Sequence, residues 1–432
     1  MKPEIIHLTR NQGIRQPPVL SRSELQGVVS GYLERRQDYL DIAAKNQVPL
    51  YLLESQILRA RARRFKQAFE DSVAGPVSVY YAVKSNNHPE VARILLEEHF
   101  GLDVSSGQEL EVALGLGAEH IIFSGPGKTD KELSLAVQYA SRVIVLMDSF
   151  GELERLRNIT SSLNKDVRCG VRLMFNAKGL WCKFGIPTTD LGAFWKATGR
   201  CRHIQLTGLQ FHSSWNLTAT AQINYIQDLS EALDQLSESQ ISRLTFIDIG
   251  GGYWPEQGEW LQPAGTVAGK ILDALGQGDE GDDRHYHLPA ISIEEFARQL
   301  GEAADTYIFP RMHCRICLEP GRWICNDAVQ LLISVVDKKA PDLVITDAGT
   351  NAVGWERFET DYFPILNLTR PSLSERRCRI LGSLCTPHDV WGYAYFGEDI
   401  QPGDILMIPA QGAYTYSLRQ RFIKPLPKLI KI

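Results

Sequence analysis

Short apolar runs recur through the middle of the chain, separated by stretches in which apolar residues return every three or four positions. Val79, Tyr80, Tyr81, Ala82 and Val83 are nearly continuous and are β-branched, aromatic or small, which predicts a strand covered on both faces. The runs "GLDVSS" (101–106), "HIIFSG" (120–125), "RVIVLMDS" (142–149), "DVRCGVRLM" (166–174), "IQLTGLQFHSSW" (204–215), "LTFIDIGGGYW" (244–254) and "RICLEPGR" (315–322) bring the series to eight. Amphipathic segments such as "KELSLAVQYA" and "QDLSEALDQL" stand between neighbours. This alternation predicts an α/β fold, a (β/α)8 TIM-type barrel, whose usual length is about 250 residues. The spacer 255–312 is too long for one connection and predicts an insertion.

Beyond residue 322 the helical spacers disappear, and "AVQLLISVVD", "DLVITDAG", "CRILGSL" and "DILMIPAQG" read as strands of a mostly β second domain. The expected organisation is a barrel over 46–322 and a β domain over 323–432, joined by residues 1–45. A length of 432 residues agrees with two domains. Composition narrows the partners. With 44% hydrophobic residues, 22% charged residues and a net charge of −5, the chain has no basic excess and no nucleic acid is expected as partner. No apolar run reaches the ~18 residues of a membrane span, so no membrane association is expected. The opening "MKPEIIHLTRNQG" lacks the apolar core of a secretory signal, so a cytoplasmic location is expected. Eight cysteines are too sparse for a disulfide scaffold.

Three pattern matches do not survive inspection. Cys314 and Cys317 have the spacing of a zinc pair but no second pair, so no metal is expected. "SGPGKT" looks like the end of a phosphate loop, yet Ile122 stands where that motif needs glycine. "GQGDEGDDRHYH" reads as a solvated loop.

In such a barrel chemistry sits at the C-terminal ends of the strands, and here those ends are polar or glycine. They carry Lys84, Asp103, Ser124, Asp148, His212, Gly250, Gly251, Gly252, Glu319 and Arg322, after mostly apolar strand bodies. Layer packing alone does not require a lysine, a histidine, three glycines and an ion-capable pair on one rim. A lysine ending a buried strand loses hydration, which can lower its pKa by up to ~3–5 units and make a nucleophilic amine. Glycines after a strand let backbone N–H groups approach an anion, and Arg322 is a second donor for one. A phosphate site beside a reactive lysine points to pyridoxal 5'-phosphate, with Glu319 suited to the ring nitrogen and His212 to stacking on the ring.

These motifs resemble those of the fold-type III pyridoxal-phosphate decarboxylases, the group of diaminopimelate and ornithine decarboxylases, over nearly the whole length. "YYAVKSN" resembles the family's Schiff-base strand, "FHSS" its ring-stacking histidine, "DIGGGY" its phosphate loop, and "EPGR" (Glu319, Pro320, Gly321, Arg322) its ring-nitrogen glutamate with a ligand-binding arginine. "GSLCTPHD" and "GAYTYS" resemble segments carrying a catalytic cysteine with an acidic companion and a phosphate-contacting tyrosine, here Cys385, Asp389 and Tyr414. The resemblance implies an alanine racemase-like barrel followed by a β-sandwich. It also implies a head-to-tail homodimer in which Cys385 and Asp389 of one subunit complete the site around Lys84 of the other. Cys385 would then protonate the carbanion left by carbon dioxide.

Departures from the family bear on the small-molecule amino-acid substrate. Thr386 follows the cysteine where diaminopimelate decarboxylases typically have glutamate, and "DAGTNAVGWERF" places Trp355 near the register of the usual substrate arginine, with Arg357 two positions later. "CTPxD" resembles the version in siderophore and antibiotic pathways. The expected substrate is therefore a diamino acid or conjugated amino acid, bound by Arg322, Arg357, Thr386 and Tyr414. The alternatives are meso-diaminopimelate decarboxylation in lysine biosynthesis, and a racemase or a non-catalytic cofactor carrier on the same barrel.

Overall fold

The structure, a computed structural model, describes residues 16–175, 179–276, 283–354 and 358–432. The chain forms two compact units, Leu58–Pro255 with Ile291–Cys325, and Met1–Ile57 with Glu256–Ala290 and Asn326–Ile432.

The first unit is a closed parallel barrel. Its strands are β1 (Val77–Ala82), β2 (Gly101–Val104), β3 (Ile121–Phe123), β4 (Val143–Met147), β5 (Val167–Met174), β6 (Ile204–Gln210), β7 (Phe246–Asp248) and β8 (Arg315–Leu318). Each pairs in parallel with the next, and β8 pairs with β1. All eight strands lie on the runs expected from the sequence. Polar residues just before the helices explain where helices begin: Ser106, Thr129 and Ser149 each accept a hydrogen bond from the amide three residues on. Thr129 and Glu132 complete a reciprocal capping box.

Inside the barrel large and small residues alternate around one layer. Tyr80, Ile122, Leu146, Phe246 and Cys317 pack together at the centre. Gly208 faces the Phe246 ring so closely that a Cβ there would lie 2.1 Å from ring atom Cζ, and one on Gly101 would lie 2.4 Å from Cδ1 of Tyr80. Lys128, from the failed phosphate-loop motif, is an internal tie. Its ammonium donates to the carbonyls of Gly125 and Leu146, each at 2.7 Å, and to Glu152 Oε1 at 2.8 Å, with both side chains buried.

In the second unit eight strands form one sheet in the order Leu343–Thr346, Glu375–Leu381, Val390–Phe396, Leu366–Asn367, Ile405–Ile408, Val329–Ala340, Leu50–Leu53, Lys428–Lys431. The mostly β domain expected from the sequence is thus present. Helices Arg22–Leu33 and Arg36–Asn46 bury Leu25, Val29 and Tyr39 against Leu50, Leu332 and Met407 of this sheet. The insertion contributes the hairpin of Glu259–Leu261 and Tyr286–Leu288. Part of the segment expected to be a solvated loop belongs to this core: His285 is buried, stacks on Tyr362 at 3.6 Å between ring centroids, and lies 2.9 Å from Glu375. Burial of this histidine against an aromatic ring depends on residues about 80 positions away, which no local pattern reports.

Gly208→Ala is expected to overpack the barrel layer against Phe246, costing about 1–3 kcal/mol. Urea unfolding of the variant should show a lower midpoint with an unchanged slope; a variant as stable as the parent would mean that the Phe246 ring has room to move.

Candidate active site at the C-terminal rim of the barrel

Lys84 stands in the single helical turn Val83–Ser85 that follows β1. Its Nζ lies 3.2 Å from Oδ2 of Asp103, the next-to-last residue of β2, which is fully buried, and Ser124 Oγ beyond β3 donates to Asp103 Oδ1 at 2.6 Å. The deep burial that the strand pattern predicts for Lys84 is not reached, because the turn lifts it above the strand and its side chain is 36% exposed. An apposed carboxylate favours the ammonium.

After β6 comes His212. The amide of Gly251 donates to its Nδ1 at 3.2 Å, while Nε2 lies 3.3 Å from Ser214 Oγ. Nδ1 therefore carries no proton, and burial pushes the imidazole pKa below its ordinary value, so the ring is neutral. Its approach to Glu319 Oε2, at 3.6 Å, is close but too long for a hydrogen bond.

The glycine run after β7 is dictated by crowding. Gly250 and Gly252 have φ of +68° and +84°, and a Cβ on Gly251 would lie 2.1 Å from the carbonyl oxygen of Glu319. The amides of Gly250 and Gly251 already donate to Asp248 and His212, so these two fasten the turn, and a bound anion would use the amides beyond them. The turn after β8 packs on the lysine. Pro320 accepts from the amide of Ala82 at 3.0 Å, and a Cβ on Gly321 would lie 2.9 Å from that of Ser85. The Arg322 guanidinium lies over the Trp254 ring at 4.5 Å.

Sequence reasoning passed over Asp248. It is the last residue of β7 and fully buried; its Oδ1 accepts from Gly250, and its Oδ2 and Oε1 of Glu319 are buried with no donor from outside this hydrogen-bonded pair of acids. Burial, with the Glu319 charge beside it, pushes the Asp248 pKa well up. Burial also raises Glu319, but its polar neighbours and the Lys84 charge outweigh this and hold it below the carboxylate range. Of the two acids Asp248 keeps the proton and Glu319 the charge. The one signal available was an acid closing an apolar strand, which in the sequence looks like the start of the glycine turn.

The barrel unit thus brings Lys84, Asp103, His212, Gly250 to Gly252 and Glu319 to Arg322 to one rim. This set fits pyridoxal phosphate: an amine, a flat neutral ring, a turn without side chains, and a buried carboxyl group held in its ionised form, able to meet a cationic ring nitrogen.

The other expected residues lie in the β unit. Cys385 is exposed and Thr386 half-buried on the turn before Val390–Phe396. Asp389 is buried and accepts from the amides of Thr350 and Leu384, at 2.7 and 2.6 Å, so its carboxylate shapes the turn that carries Cys385. Tyr414 is half-buried with φ of +62°, a strained backbone for a tyrosine. Arg357, like Trp355, lies outside the described residues. Among the described residues no helix is long and apolar enough to cross a membrane.

A parallel barrel with this rim defines a pyridoxal-phosphate enzyme of the barrel class. The profile of the family "Pyridoxal-dependent decarboxylase, pyridoxal binding domain" matches residues 55–326, more than half of the chain. The chain belongs to this family, and its cofactor is pyridoxal phosphate. It is 26% identical to a diaminopimelate decarboxylase of Aquifex aeolicus, over 92% of this chain and 91% of the relative. It is 25% identical to the L-glutamyl-[BtrI acyl-carrier protein] decarboxylase of Niallia circulans, over 86% of this chain and 85% of that one. Among solved structures the fold matches diaminopimelate decarboxylase from M. jannaschii, with a TM-score of 0.75 and 23% identity over 90% of this chain and 88% of that one. It also matches lysine/ornithine decarboxylase from Vibrio vulnificus complexed with putrescine, with a TM-score of 0.74 and 22% identity over 92% and 98%.

A carboxyl group whose folded pKa is raised takes up a proton on folding, so its contribution to stability declines as pH rises above about 4. Asp248→Asn does not titrate, still accepts from Gly250 and can donate to Glu319, so it should gain stability on the parent as pH rises. Asp248→Ala leaves Gly250 and Glu319 short of partners and should lose about 1–3 kcal/mol. Urea unfolding of the cofactor-free proteins from pH 5 to pH 8 distinguishes the two; an Asn variant as damaged as the Ala variant at pH 8 would mean that Asp248 is ionised.

Proposed function

We propose that the chain decarboxylates an amino acid on pyridoxal phosphate held covalently by Lys84. The observation that carries the reading is the pairing of Lys84 with a buried carboxylate, Asp103, on the same rim as a second buried acid, Glu319, that is held in its ionised form. When bound, the cofactor supplies an electron-withdrawing ring that accepts the electron pair released as carbon dioxide leaves. The residues do the rest. Glu319 would keep the proton on the ring nitrogen, the neutral imidazole of His212 would cover one ring face, and the turn of Gly250 to Gly252, through the amides beyond Gly251, would receive the phosphate, with Tyr414 as a further contact implied by the family resemblance. Asp103, steadied by Ser124, orients the amine of Lys84. Cys385 delivers a proton to the carbon that lost the carboxylate, and Asp389 holds its turn. On the family's arrangement Cys385 comes from the partner subunit of a homodimer.

For the substrate, Thr386 cannot bind a distal ammonium as glutamate does, and a charge-assisted hydrogen bond contributes on the order of 1.5–3 kcal/mol. The rim also carries an aromatic surface. Trp215 is 58% exposed, has φ of +58°, and leans on Trp254 at 5.7 Å between centroids. The amide of Asn216 donates to Gly252 and that of Trp254 to Asn216, which fastens both tryptophans beside the glycine turn. This supports a substrate larger than a free α-amino acid, a conjugated or extended diamino acid contacted by Arg322 and Arg357. The second reading, meso-diaminopimelate, is favoured by the relatives that carry the diaminopimelate decarboxylase name.

Lys84→Ala should abolish both the visible absorbance of protein-bound cofactor and its fixation to the chain by borohydride; a variant that still fixes the label would remove Lys84 from its assigned role. Carbon dioxide release over meso-diaminopimelate, lysine, ornithine and citryl- or acyl-linked diamino acids should favour the linked compounds by about one to two powers of ten over meso-diaminopimelate. Fastest turnover of meso-diaminopimelate would establish the second reading. Lys84→Ala and Cys385→Ala chains, refolded together, should regain part of the activity, and confirmed hybrids without recovery would place both residues in one subunit's site.

A further inference from the structure

At the end of the barrel opposite Lys84, among residues at the strand starts, is a cavity of about 1320 Å³. Side chains on a strand alternate between inside and outside, so the central layer fixes which residues at these strand starts point inward. Tyr80, Leu146 and Cys317 face the barrel centre, and Gly170 does too, since a Cβ there would lie 2.5 Å from Leu146 Cδ2. Two residues back along β1, β5 and β8 stand Ser78, Arg168 and Arg315, and all three line the cavity, as does Arg142 in the turn just before β4. Arg142 before β4, Arg168 on β5 and Arg315 on β8 thus all line one opening.

Their partners are neutral. Arg315 donates to Ser78 Oγ at 2.8 Å and to the carbonyl of Val77 at 3.4 Å, and Arg168 donates to the carbonyl of Ser141 at 3.3 Å. Elsewhere in the same unit Arg59, Arg63, Arg93, Arg155, Arg298 and Arg311 all meet carboxylates. Among the described residues Arg142, Arg168 and Arg315 form no such pair, although Glu70, Glu119 and Asp305 also line the cavity. Burial, with Cys317 and Asp248, raises the pKa of the Tyr80 hydroxyl, and Arg315 and Arg168 act in the opposite direction. The lining carries Lys66 with the three arginines against Glu70, Glu119 and Asp305, so acids are present at the opening but, among the described residues, none of them is paired with the three guanidinium groups. Guanidinium forks match the geometry of phosphoryl and carboxylate oxygens, and Tyr80 and Ser78 add hydroxyls to the floor.

We propose that the N-terminal mouth of the barrel binds a compact multivalent oxyanion, a phosphate or polycarboxylate, at Arg142, Arg168 and Arg315. The site is separate from the rim that holds the cofactor and does not depend on the reaction assigned there. Titration calorimetry of the cofactor-loaded protein, whose own phosphate-binding turn is then filled, tests it with pyrophosphate and citrate as probes at low ionic strength. Saturable one-to-one binding of either probe is expected, weakened by added sodium chloride. Binding of pyrophosphate alone assigns a phosphoryl ligand, and binding of citrate alone a carboxylate one. Arg142→Gln and Arg168→Gln should each weaken it about tenfold or more, as expected for a lost charge-assisted hydrogen bond. These two are chosen because Arg315 ties β8 to β1, and unchanged cofactor absorbance and circular dichroism would show that the variants fold. No saturable binding of either probe, or equal affinity in the folded double variant, would overturn the proposal.

Discussion

Three acids, Asp103, Asp248 and Glu319, are fully or almost fully buried at one end of an apolar barrel, and the chain must prevent them from carrying three unopposed charges. Desolvation of a lone carboxylate is too costly to sustain in such a setting. Each acid is handled differently. Asp103 meets an ammonium and a hydroxyl, Asp248 retains its proton, and Glu319 keeps the remaining charge. The rim is therefore poised around the ionised Glu319, which has the protonated Asp248 beside it, and the neutral histidine and the crowded glycine turn are arranged about it. Its chemistry depends on this division of protons more than on any one side chain.

The division requires a rigid frame. Asp248 is fixed by the Gly250 amide, Asp103 by Ser124, and the loop after Ser124 by the buried Lys128, which joins it to β4 and to the helix that follows β4. Below the acids the layer of Tyr80, Ile122, Leu146, Phe246 and Cys317 closes the barrel, and the arginines lie beneath it. The apolar layer between the acids and the arginines holds little water, so charges on its two sides are weakly screened from one another. The β unit shows the same economy. Asp389 is used up by backbone amides, so it sets the conformation of the turn carrying Cys385.

The strands were legible because their signal is local: a strand buried on both faces is a short continuous apolar run, and the barrel has eight of them. Lys84, His212, the glycines and the EPGR turn were legible for a related reason, since polar residues that end such runs must gather at one rim once the runs close in parallel. Asp248 was not, because an acid at a strand end looks the same in sequence whether it faces water or another carboxylate. The exposure of Lys84 was misjudged, because one helical turn after the strand lifts it away from the core.

The order of apolar runs and turn residues along the chain determined the barrel, the β domain and the membership of the rim, since these follow from periodicities of two and about 3.6 residues. Tertiary structure alone decided which buried acid keeps its proton, which tryptophans lie beside the glycine turn, and that three arginines far apart in sequence share one opening. Those outcomes depend on distances across the closed barrel, where a few ångströms and the loss of water set the energy of a charge, and such distances have no counterpart in local sequence.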